Sequence, residues 1–323
     1  MATEVYIVSG FLGAGKTTLI QKLLKDMIHV KVAIIENDFG EMSVDTALLK
    51  SGNVEVKELN SGCICCSLSG NFISALIELI NRLHPDKIII EPSGVGKMSD
   101  ILKSISDSRI QPFVSSHTSV TVVDVNKCRM YVNNFGEFFE DQIRYADTVL
   151  LSRAENHPEK IQDAIALVRG LNQKCPILSQ QWNMLTTVEI LRQGQGNDQA
   201  GPHCCEQHDH HADVNCCGQH NHHEHCEGLH SHPAEDVFDT VTIQTSYVFT
   251  IDELKQLVMK MERISSGNVL RAKGILHGIN GNINLQYTPG EIQITKTAAA
   301  GNLLCIIGKE LKRQELINLF KGD

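Results

Sequence analysis

The sequence predicts an α/β fold: a doubly wound, mainly parallel sheet of the P-loop type, followed by a His/Cys-rich linker and a small α+β domain. From residue 4 to about 183, short apolar runs alternate with helical patterns. Runs this apolar are typical of strands buried on both faces of a parallel sheet. A glycine-rich loop after the first run and closely spaced strand-like runs after residue 237 complete the prediction.

The chain is organised around the glycine-rich loop, GFLGAGKTT at residues 10–18. It lies between an apolar run and a helical pattern, which is the context that the pattern G-x-x-x-x-G-K-[ST] requires. Its backbone N–H groups can surround phosphate oxygens at a helix N-terminus, with Lys16 reaching the β- and γ-phosphates and Thr17 ligating Mg²⁺. The alternative is a glycine turn beside a chance lysine. The pattern predicts a nucleoside triphosphate site formed by Gly10, Gly13, Ala14, Gly15, Lys16, Thr17 and Thr18.

The predicted sheet contains seven strands, the first at residues 5–8. The others lie at residues 31–35, 54–59, 87–90, 119–123, 148–151 and 176–178. Helical patterns cover about 71–83, 135–146 and 158–170. The 54–59 run alternates charged and apolar residues, so we expect an exposed or edge strand there. In such sheets ligands bind beyond the carboxyl ends of the strands, where the glycine-rich loop also lies.

A second acidic element follows the strand at residues 87–90. Glu91 ends this strand, and Gly94 comes three residues later. A P-loop enzyme needs a carboxylate at a neighbouring strand end to hold Mg²⁺, and a glycine N–H here can contact the γ-phosphate. A chance acid at a strand end is the alternative. We expect Lys16, Thr17 and Glu91 to carry the chemistry.

The base-reading element is weaker than the phosphate-reading one. GTPases usually read guanine with N-K-x-D after a strand, and this chain has Ser152-Arg153-Ala154-Glu155 at that place. Glu155 can accept two hydrogen bonds from the base, and the stem of Arg153 can cover the ring, but Ser152 is too short to replace Asn. Guanine is favoured over adenine.

Composition and charge exclude several classes of protein. The 323 residues are 42% hydrophobic and 21% charged, as in a globular protein. A formal net charge of −9 argues against nucleic acid or an anionic membrane as partner. The chain starts directly with a strand pattern, and no apolar run approaches the roughly 20 residues that span a bilayer. We expect a cytoplasmic protein, where clustered cysteines indicate metal or redox chemistry.

The first cysteine cluster is Cys63, Cys65 and Cys66, between two predicted elements. Three thiols in four residues suit a thiophilic ion such as Zn²⁺ or Cu⁺. The set looks incomplete, as a transfer site would, and Glu36 or Glu41 from the preceding acidic loop can supply the missing ligand. Nucleotide state and metal affinity would then be coupled. Buried structural cysteines and a redox pair are the alternatives.

Residues 194–236 form the predicted linker between domains 1–193 and 237–323. Ten of the fifteen histidines lie there between His203 and His232, with five cysteines and few large apolar side chains. This composition predicts a segment without a core that collects Zn²⁺, Ni²⁺, Co²⁺ or Cu ions in alternative sets. A plain solvated linker is the alternative. The candidate ligands are His203, Cys204, Cys205, His208, His210, His211, Cys216, Cys217, His220, His222, His223, His225 and Cys226.

The C-terminal domain is predicted as an antiparallel sheet with two helices on one face. Its strand-like runs lie at residues 241–245, 271–277, 283–287, 291–295 and 303–308, and its helical patterns at 250–262 and 312–320. We recognise no catalytic constellation in it.

Taken together, residues 10–18, 36–41, 62–66 and 91–94 resemble the CobW-type GTPases, relatives of the UreG and HypB nickel-insertion GTPases. The likeness covers nearly the whole chain, and the Cys-x-Cys-Cys motif in this order is its most specific part. Asp38 replaces the commoner Glu of the acidic loop, and residues 152–155 depart from N-K-x-D.

The resemblance implies a slow, Mg²⁺-dependent GTPase that holds Zn²⁺, or Co²⁺ or Ni²⁺, at the three cysteines. GTP turnover would gate its release to a client metalloprotein or a metal-cofactor pathway enzyme, and a homodimer is one assembly to test. Two other interpretations stay open: a passive metal buffer with a vestigial nucleotide site, and a P-loop small-molecule kinase with structural cysteines.

Overall fold

Seven strands form one sheet within the part of the chain that the computed structural model describes, which is residues 2–27, 29–36, 55–58, 71–191, 234–266 and 268–321. Their order is β3-β2-β4-β1-β5-β6-β7, and every pairing between them is parallel. The predicted parallel α/β sheet is confirmed, with β3 at an edge. The strands are β1 (Thr3–Gly10), β2 (Val32–Glu36), β3 (Glu55–Glu58), β4 (Lys87–Glu91), β5 (Val114–Asp124), β6 (Thr148–Ser152) and β7 (Ile177–Leu178).

Both faces of this sheet are covered, which explains why its central strands are apolar throughout. In β4, Ile88 and Ile90 pack into one core cluster, whereas Ile89 packs into another with the first helix. The helices along this half of the chain are α1 (Lys16–Asp26), α2 (Asn71–Leu83), α3 (Met98–Ile105), α4 (Cys128–Arg144), α5 (Ile161–Leu171) and α6 (Thr187–Ile190).

Three helices of this half differ from the sequence prediction. Helices α3 and α6 were not predicted, since they are only eight and four residues long. Helix α4 begins at Cys128 rather than near residue 135, and Phe135 within it has non-helical dihedral angles (φ −140°, ψ 32°). The kink, next to Gly136, interrupts the helical pattern and hides the first two turns from a periodicity argument.

The second sheet has six strands, five of them in the order β12-β11-β10-β13-β8, and the pairings along this path are antiparallel. The short β9 pairs in parallel with β10. The predicted C-terminal α+β domain is confirmed, with one additional strand. Its elements are α7 (Ala234–Val237), β8 (Asp239–Gln244), β9 (Val248–Phe249), α8 (Ile251–Ile264), β10 (Val269–Gly278), β11 (Gly281–Thr288), β12 (Glu291–Lys296), β13 (Leu303–Gly308) and α9 (Arg313–Lys321).

The two sheets meet through an apolar cluster. Phe238, which precedes β8, packs its ring against Phe11 after β1 and Phe138 of α4, with centroid distances of 6.4 and 5.1 Å. Leu270 and Ile307 join the same cluster from β10 and β13. This contact places the C-terminal sheet beside the glycine-rich loop. The predicted boundaries at residues 193 and 236 stay predictions, because residues 192–233 lie outside the described part of the chain.

None of the helices in the described ranges combines the length and the apolar character needed to cross a bilayer.

Candidate nucleotide site

The glycine-rich loop has the backbone that its sequence predicts. Gly10, Gly13 and Gly15 have φ values of 142°, 72° and 110°, a region that side chains with a Cβ rarely adopt. A Cβ at Gly10 would lie 2.5 Å from the Val122 carbonyl oxygen of β5. The loop therefore turns tightly from β1 into α1, and α1 begins at Lys16 without a side-chain cap. Its N-terminal N–H groups face the position that a phosphate would take.

Lys16 and Thr17 stand at this helix start. The Lys16 side chain is buried, and its Nζ donates to the Gly10 carbonyl oxygen at 3.0 Å. The Thr17 hydroxyl donates to Glu91, with Oγ1 3.3 Å from Oε1 and 3.5 Å from Oε2. Glu91 is 5% exposed at the end of β4, the strand next to β1. A hydroxyl at a helix start and a carboxylate at a strand end thus converge. Oxygen ligands of this kind suit Mg²⁺.

Gly94 lies directly against the same loop. A Cβ at this position would be 2.9 Å from the backbone nitrogen of Leu12, so a larger residue would displace the loop. The buried Gln142 of α4 donates from Nε2 to the carbonyl oxygens of Gly94 and Gly96, at 3.2 and 2.8 Å. These bonds hold the turn that follows Glu91 in place.

Arg153 braces the loop from the other side. Its Nη1 donates to the Gly13 carbonyl oxygen at 3.1 Å and to Asp124 Oδ2 at 2.7 Å. Its Nη2 donates to Glu291 of the C-terminal sheet at 3.3 Å. The Arg153 backbone itself has φ 57°, an unusual conformation for this residue type. A role of Arg153 in covering a base stays a prediction.

The other two base-reading candidates differ in exposure. Ser152 is buried at the end of β6, and its hydroxyl has no hydrogen-bond partner within the described residues. Glu155 is exposed. Trp182, the one tryptophan of the chain, lies nearby: its Nε1 donates to the Leu151 carbonyl oxygen at 2.8 Å, and its ring edge would be 3.3 Å from a Cβ at Gly15. The sequence prediction did not identify this indole.

An open cleft of about 940 Å³, solvent space included, lies between the glycine-rich loop and the C-terminal sheet. We call its two sides the P-loop wall and the C-terminal wall. The P-loop wall consists of Gly13, Ala14, Gly15, Lys16, Thr17, Thr18, Gln21, Glu91 and Arg153. The C-terminal wall consists of Arg271, Gln286, Tyr287, Thr288, Glu291 and Gln293.

Sequence reasoning missed the C-terminal wall entirely. It also missed Asp124, 1% exposed and paired with Arg153 across the strand ends. Asp124 could have been found, because it ends an apolar strand run just as Glu91 does. No comparable signal marks Arg271 or Thr288, since each lies within a strand that carries no motif.

The predicted zinc ligands fall outside what the structure describes. Cys63, Cys65, Cys66, Glu41 and residues 203–226 lie outside the described part of the chain, and of Glu36 only the backbone is described. Within the described residues no group of three His, Cys, Asp or Glu side chains could hold a metal ion. The remaining cysteines, Cys128, Cys175 and Cys305, are buried. Burial raises the pKa of Cys128 and Cys175, which makes both poor metal ligands and poor nucleophiles.

Comparison with known proteins gives two family matches along this chain. A family model described as CobW/HypB/UreG, nucleotide-binding domain, matches residues 4–179, and one described as cobalamin synthesis protein cobW C-terminal domain matches residues 238–322.

Three curated relatives indicate the range of similarity. The chain is 32% identical over 182 residues to a protein named zinc chaperone YjiA from Escherichia coli (strain K12), a match covering 54% of this chain and 56% of that protein. It is 33% identical over 177 residues to one named zinc chaperone CobW from Sinorhizobium sp, covering 46% and 50%. It is 24% identical over 231 residues to one named zinc-regulated GTPase metalloprotein activator 1 from Dictyostelium discoideum, covering 59% and 48%.

The chain thus spans about half the length of the curated relatives it matches. The nucleotide-binding model, in contrast, covers more than half of this chain, and its matched segment contains the glycine-rich loop, Glu91 and Gly94. The chain belongs to the CobW/HypB/UreG family.

Proposed function

We propose that this protein is a Mg²⁺-dependent GTP-binding and GTP-hydrolysing metallochaperone. It binds zinc, or a related divalent ion, at Cys63, Cys65 and Cys66 and hands it to a client metalloprotein or a metal-cofactor pathway enzyme. The observation that carries the nucleotide part is the approach of Thr17 to Glu91 beside Lys16, at the mouth of the glycine-rich loop. The zinc part rests on the cysteine motif and on the family.

Each P-loop residue has a defined role in this proposal. The backbone N–H groups at the start of α1 and the Lys16 ammonium bind the phosphates, with Lys16 exchanging the Gly10 carbonyl for phosphate oxygens. The Thr17 hydroxyl and the Glu91 carboxylate hold the metal directly or through water. When bound, Mg²⁺ neutralises charge on the β- and γ-phosphates. Arg153 and Gln142 keep the loop and the following turn in register through the bonds given above.

The strand register supports a link between the nucleotide and the metal. At the carboxyl edge of the sheet, Glu36 is the register partner of Glu91 on one side and of Glu58 on the other. The segment after β2 therefore leaves the sheet next to Glu91, and the segment after β3 leaves it one strand further out. Cys63 follows Glu58 by five residues, which can span at most about 18 Å. A nucleotide-dependent change at this edge can alter the metal ligands, and by linkage the metal alters nucleotide affinity.

The choice of guanine rests on Glu155. Its carboxylate is exposed after β6, where a guanine edge would offer two N–H donors. We expect a preference for GTP over ATP that is lost in Glu155→Gln.

The decisive experiment is the release of free phosphate from GTP by Lys16→Ala. Loss of the buried ammonium should lower turnover by about 100-fold or more, since it removes charge stabilisation from the transferred phosphoryl group. Lys25→Ala, an exposed lysine at the other end of α1, is the matched control and should hydrolyse GTP normally. Full activity of Lys16→Ala would refute the site.

A second measurement addresses the metal. Zinc affinity is compared with GTP, with GDP and without nucleotide, in the whole chain and in a deletion of residues 203–232. Different affinities in the three states support the chaperone, and equal affinities favour a passive metal buffer. A phosphorylated acceptor in place of free phosphate would identify a small-molecule kinase.

A further inference from the structure

The C-terminal wall lies against the glycine-rich loop itself, not merely near it. A Cβ at Gly13 would be 2.6 Å from the Thr288 Cγ2, so only glycine allows β11 to approach this closely. Thr288 is also bonded to the first domain, because its hydroxyl accepts from the buried Lys127 Nζ. Glu291, at the start of β12, is ion-paired with Arg153. The end of β11 and the start of β12 are thus attached on both sides of the loop.

This attachment brings a cation to the phosphate cradle. Arg271 of β10 lines the same cleft as Lys16, Thr17 and Thr18. It lies on the strand next to β11, one position from Ala272, whose register partner is Tyr287. Among the described lining residues, three are cations and two are carboxylates. A guanidinium there matches the geometry of phosphate oxygens.

We propose that Arg271 contacts the polyphosphate of the bound nucleotide, so that the C-terminal sheet supplies, within the same chain, the second side of the nucleotide site. The proposal rests on the nucleotide binding proposed above and adds a phosphate-contacting residue from outside the nucleotide-binding domain. It also gives the C-terminal sheet a direct role, which is to close the cleft against water while the Lys127–Thr288 and Arg153–Glu291 bonds hold it in place.

The test is the affinity of the full chain for GTP and GDP, measured with Mg²⁺ by the fluorescence of Trp182. Arg271→Gln should bind GTP about 10-fold to 100-fold more weakly, the loss expected for a charge-assisted hydrogen bond. Arg271→Lys, which keeps the charge but not the planar fork, should fall between. Arg313→Gln is the matched control, because it removes one positive charge from an exposed position of the same domain.

The outcomes separate the two proposals. GTP binding by Arg271→Gln equal to that by Arg313→Gln would overturn the inference while leaving the P-loop site intact. No GTP binding by the unaltered chain would overturn the proposed function and the inference with it. A loss of affinity for GTP alone places Arg271 at the γ-phosphate. A loss of affinity for both GTP and GDP places it at the phosphates that the two nucleotides share.

A measurement without substitution guards against misfolding of the variant. Phenylglyoxal modifies accessible guanidinium groups, and peptide mapping reports which arginines react. A non-hydrolysable GTP analogue should protect Arg271 and leave Arg313 reactive. Equal modification of Arg271 with and without the analogue would overturn the proposal.

Discussion

The two walls of the cleft are built in opposite ways. Six of the nine residues of the P-loop wall are the consecutive residues 13–18, whose shape follows from positive φ at Gly13 and Gly15 and from the start of a helix. The C-terminal wall is assembled from β10, β11 and β12, and depends on strand register. The first wall is a local structure with a sequence signature. The second exists only when two sheets are packed together.

This difference predicts how substitutions in each wall affect the protein. A change in the P-loop wall should strain the loop backbone and crowd the facing wall locally, with an intermediate effect on stability. A change at the packing contact should remove the C-terminal wall as a unit, with a large effect on stability. A change in a single polar bond between the walls should have a small effect that depends on pH. The three predictions below test these cases in order of expected size.

The largest effect is expected from Phe238→Ala. The ring is 2% exposed and is packed against three aromatic rings of the first domain, at centroid distances of 5.1 to 6.4 Å. Its truncation should lower the free energy of unfolding by about 3–5 kcal/mol. GTP affinity should fall as well, because the C-terminal wall loses its anchor. Urea unfolding and nucleotide titration measure the two effects.

Phe320→Ala is the control for Phe238→Ala. Phe320 is equally buried, but it belongs to the core of the C-terminal domain. Phe320→Ala should lower the free energy of unfolding, and the protein that remains folded should bind GTP with unchanged affinity. If Phe238→Ala keeps full GTP affinity, the nucleotide site does not include the C-terminal wall.

An intermediate effect is expected from Gly13→Ala. A φ of 72° costs a non-glycine residue about 1–2 kcal/mol, and the new methyl group collides with Thr288. Crowding of this kind costs about 1–3 kcal/mol more. Thr288→Ser removes the colliding Cγ2 and retains the hydroxyl that accepts from Lys127. In the double variant Gly13→Ala/Thr288→Ser, urea unfolding should show that only the crowding part of the lost stability is recovered. No recovery would show that only the P-loop backbone limits this position.

The smallest effect concerns Lys127. Burial lowers the pKa of its ammonium group, and repulsion from Arg153 adds to this, while attraction to Asp124 and Glu291 opposes it. Between the lowered pKa and the ordinary value of about 10.4, the unfolded chain binds more protons than the folded chain. The free energy of unfolding of the unaltered protein should therefore increase as pH rises through this window. Lys127→Met should lack this increase.

Thermal unfolding between pH 7 and pH 10.5 measures this difference, at most about 1.4 kcal/mol for each unit by which the pKa is lowered. Lys255→Met, at an exposed position of α8, corrects for the general effect of alkaline pH. Parallel curves for Lys127→Met and the unaltered protein would show that Lys127 is not buried in solution.

The sequence predicted the secondary structure of both domains closely because its signals are local. Each predicted strand run coincides with a strand, and the capping box of Thr250 and Glu253 begins α8 where the helical pattern begins. The misses also have local causes. Helix α3 is short, and α4 is interrupted at Phe135, so neither gives a continuous period of 3.6 residues.

The residues of the candidate site fall into the same two groups, those with a local sequence signal and those without one. Lys16, Thr17 and Glu91 were predicted together, and the structure places them together because β4 lies next to β1. Trp182 and Arg271 were not predicted, since nothing in their surroundings along the chain distinguishes them from packing or surface residues. Their position beside the loop depends on contacts between residues far apart in sequence.

Residue order alone was enough to predict the glycine-rich loop and the carboxylate opposite it, because glycine conformation, helix starts and strand ends depend on near neighbours. It was also enough for the parallel sheet, because strands buried on both faces must be apolar throughout. The position of the C-terminal wall beside this loop, in contrast, became visible only in the folded structure. Packing of Phe238 against Phe11 brings the β10–β11 hairpin, with Arg271 and Thr288, to the loop, and a contact across more than two hundred residues leaves no local pattern in the chain.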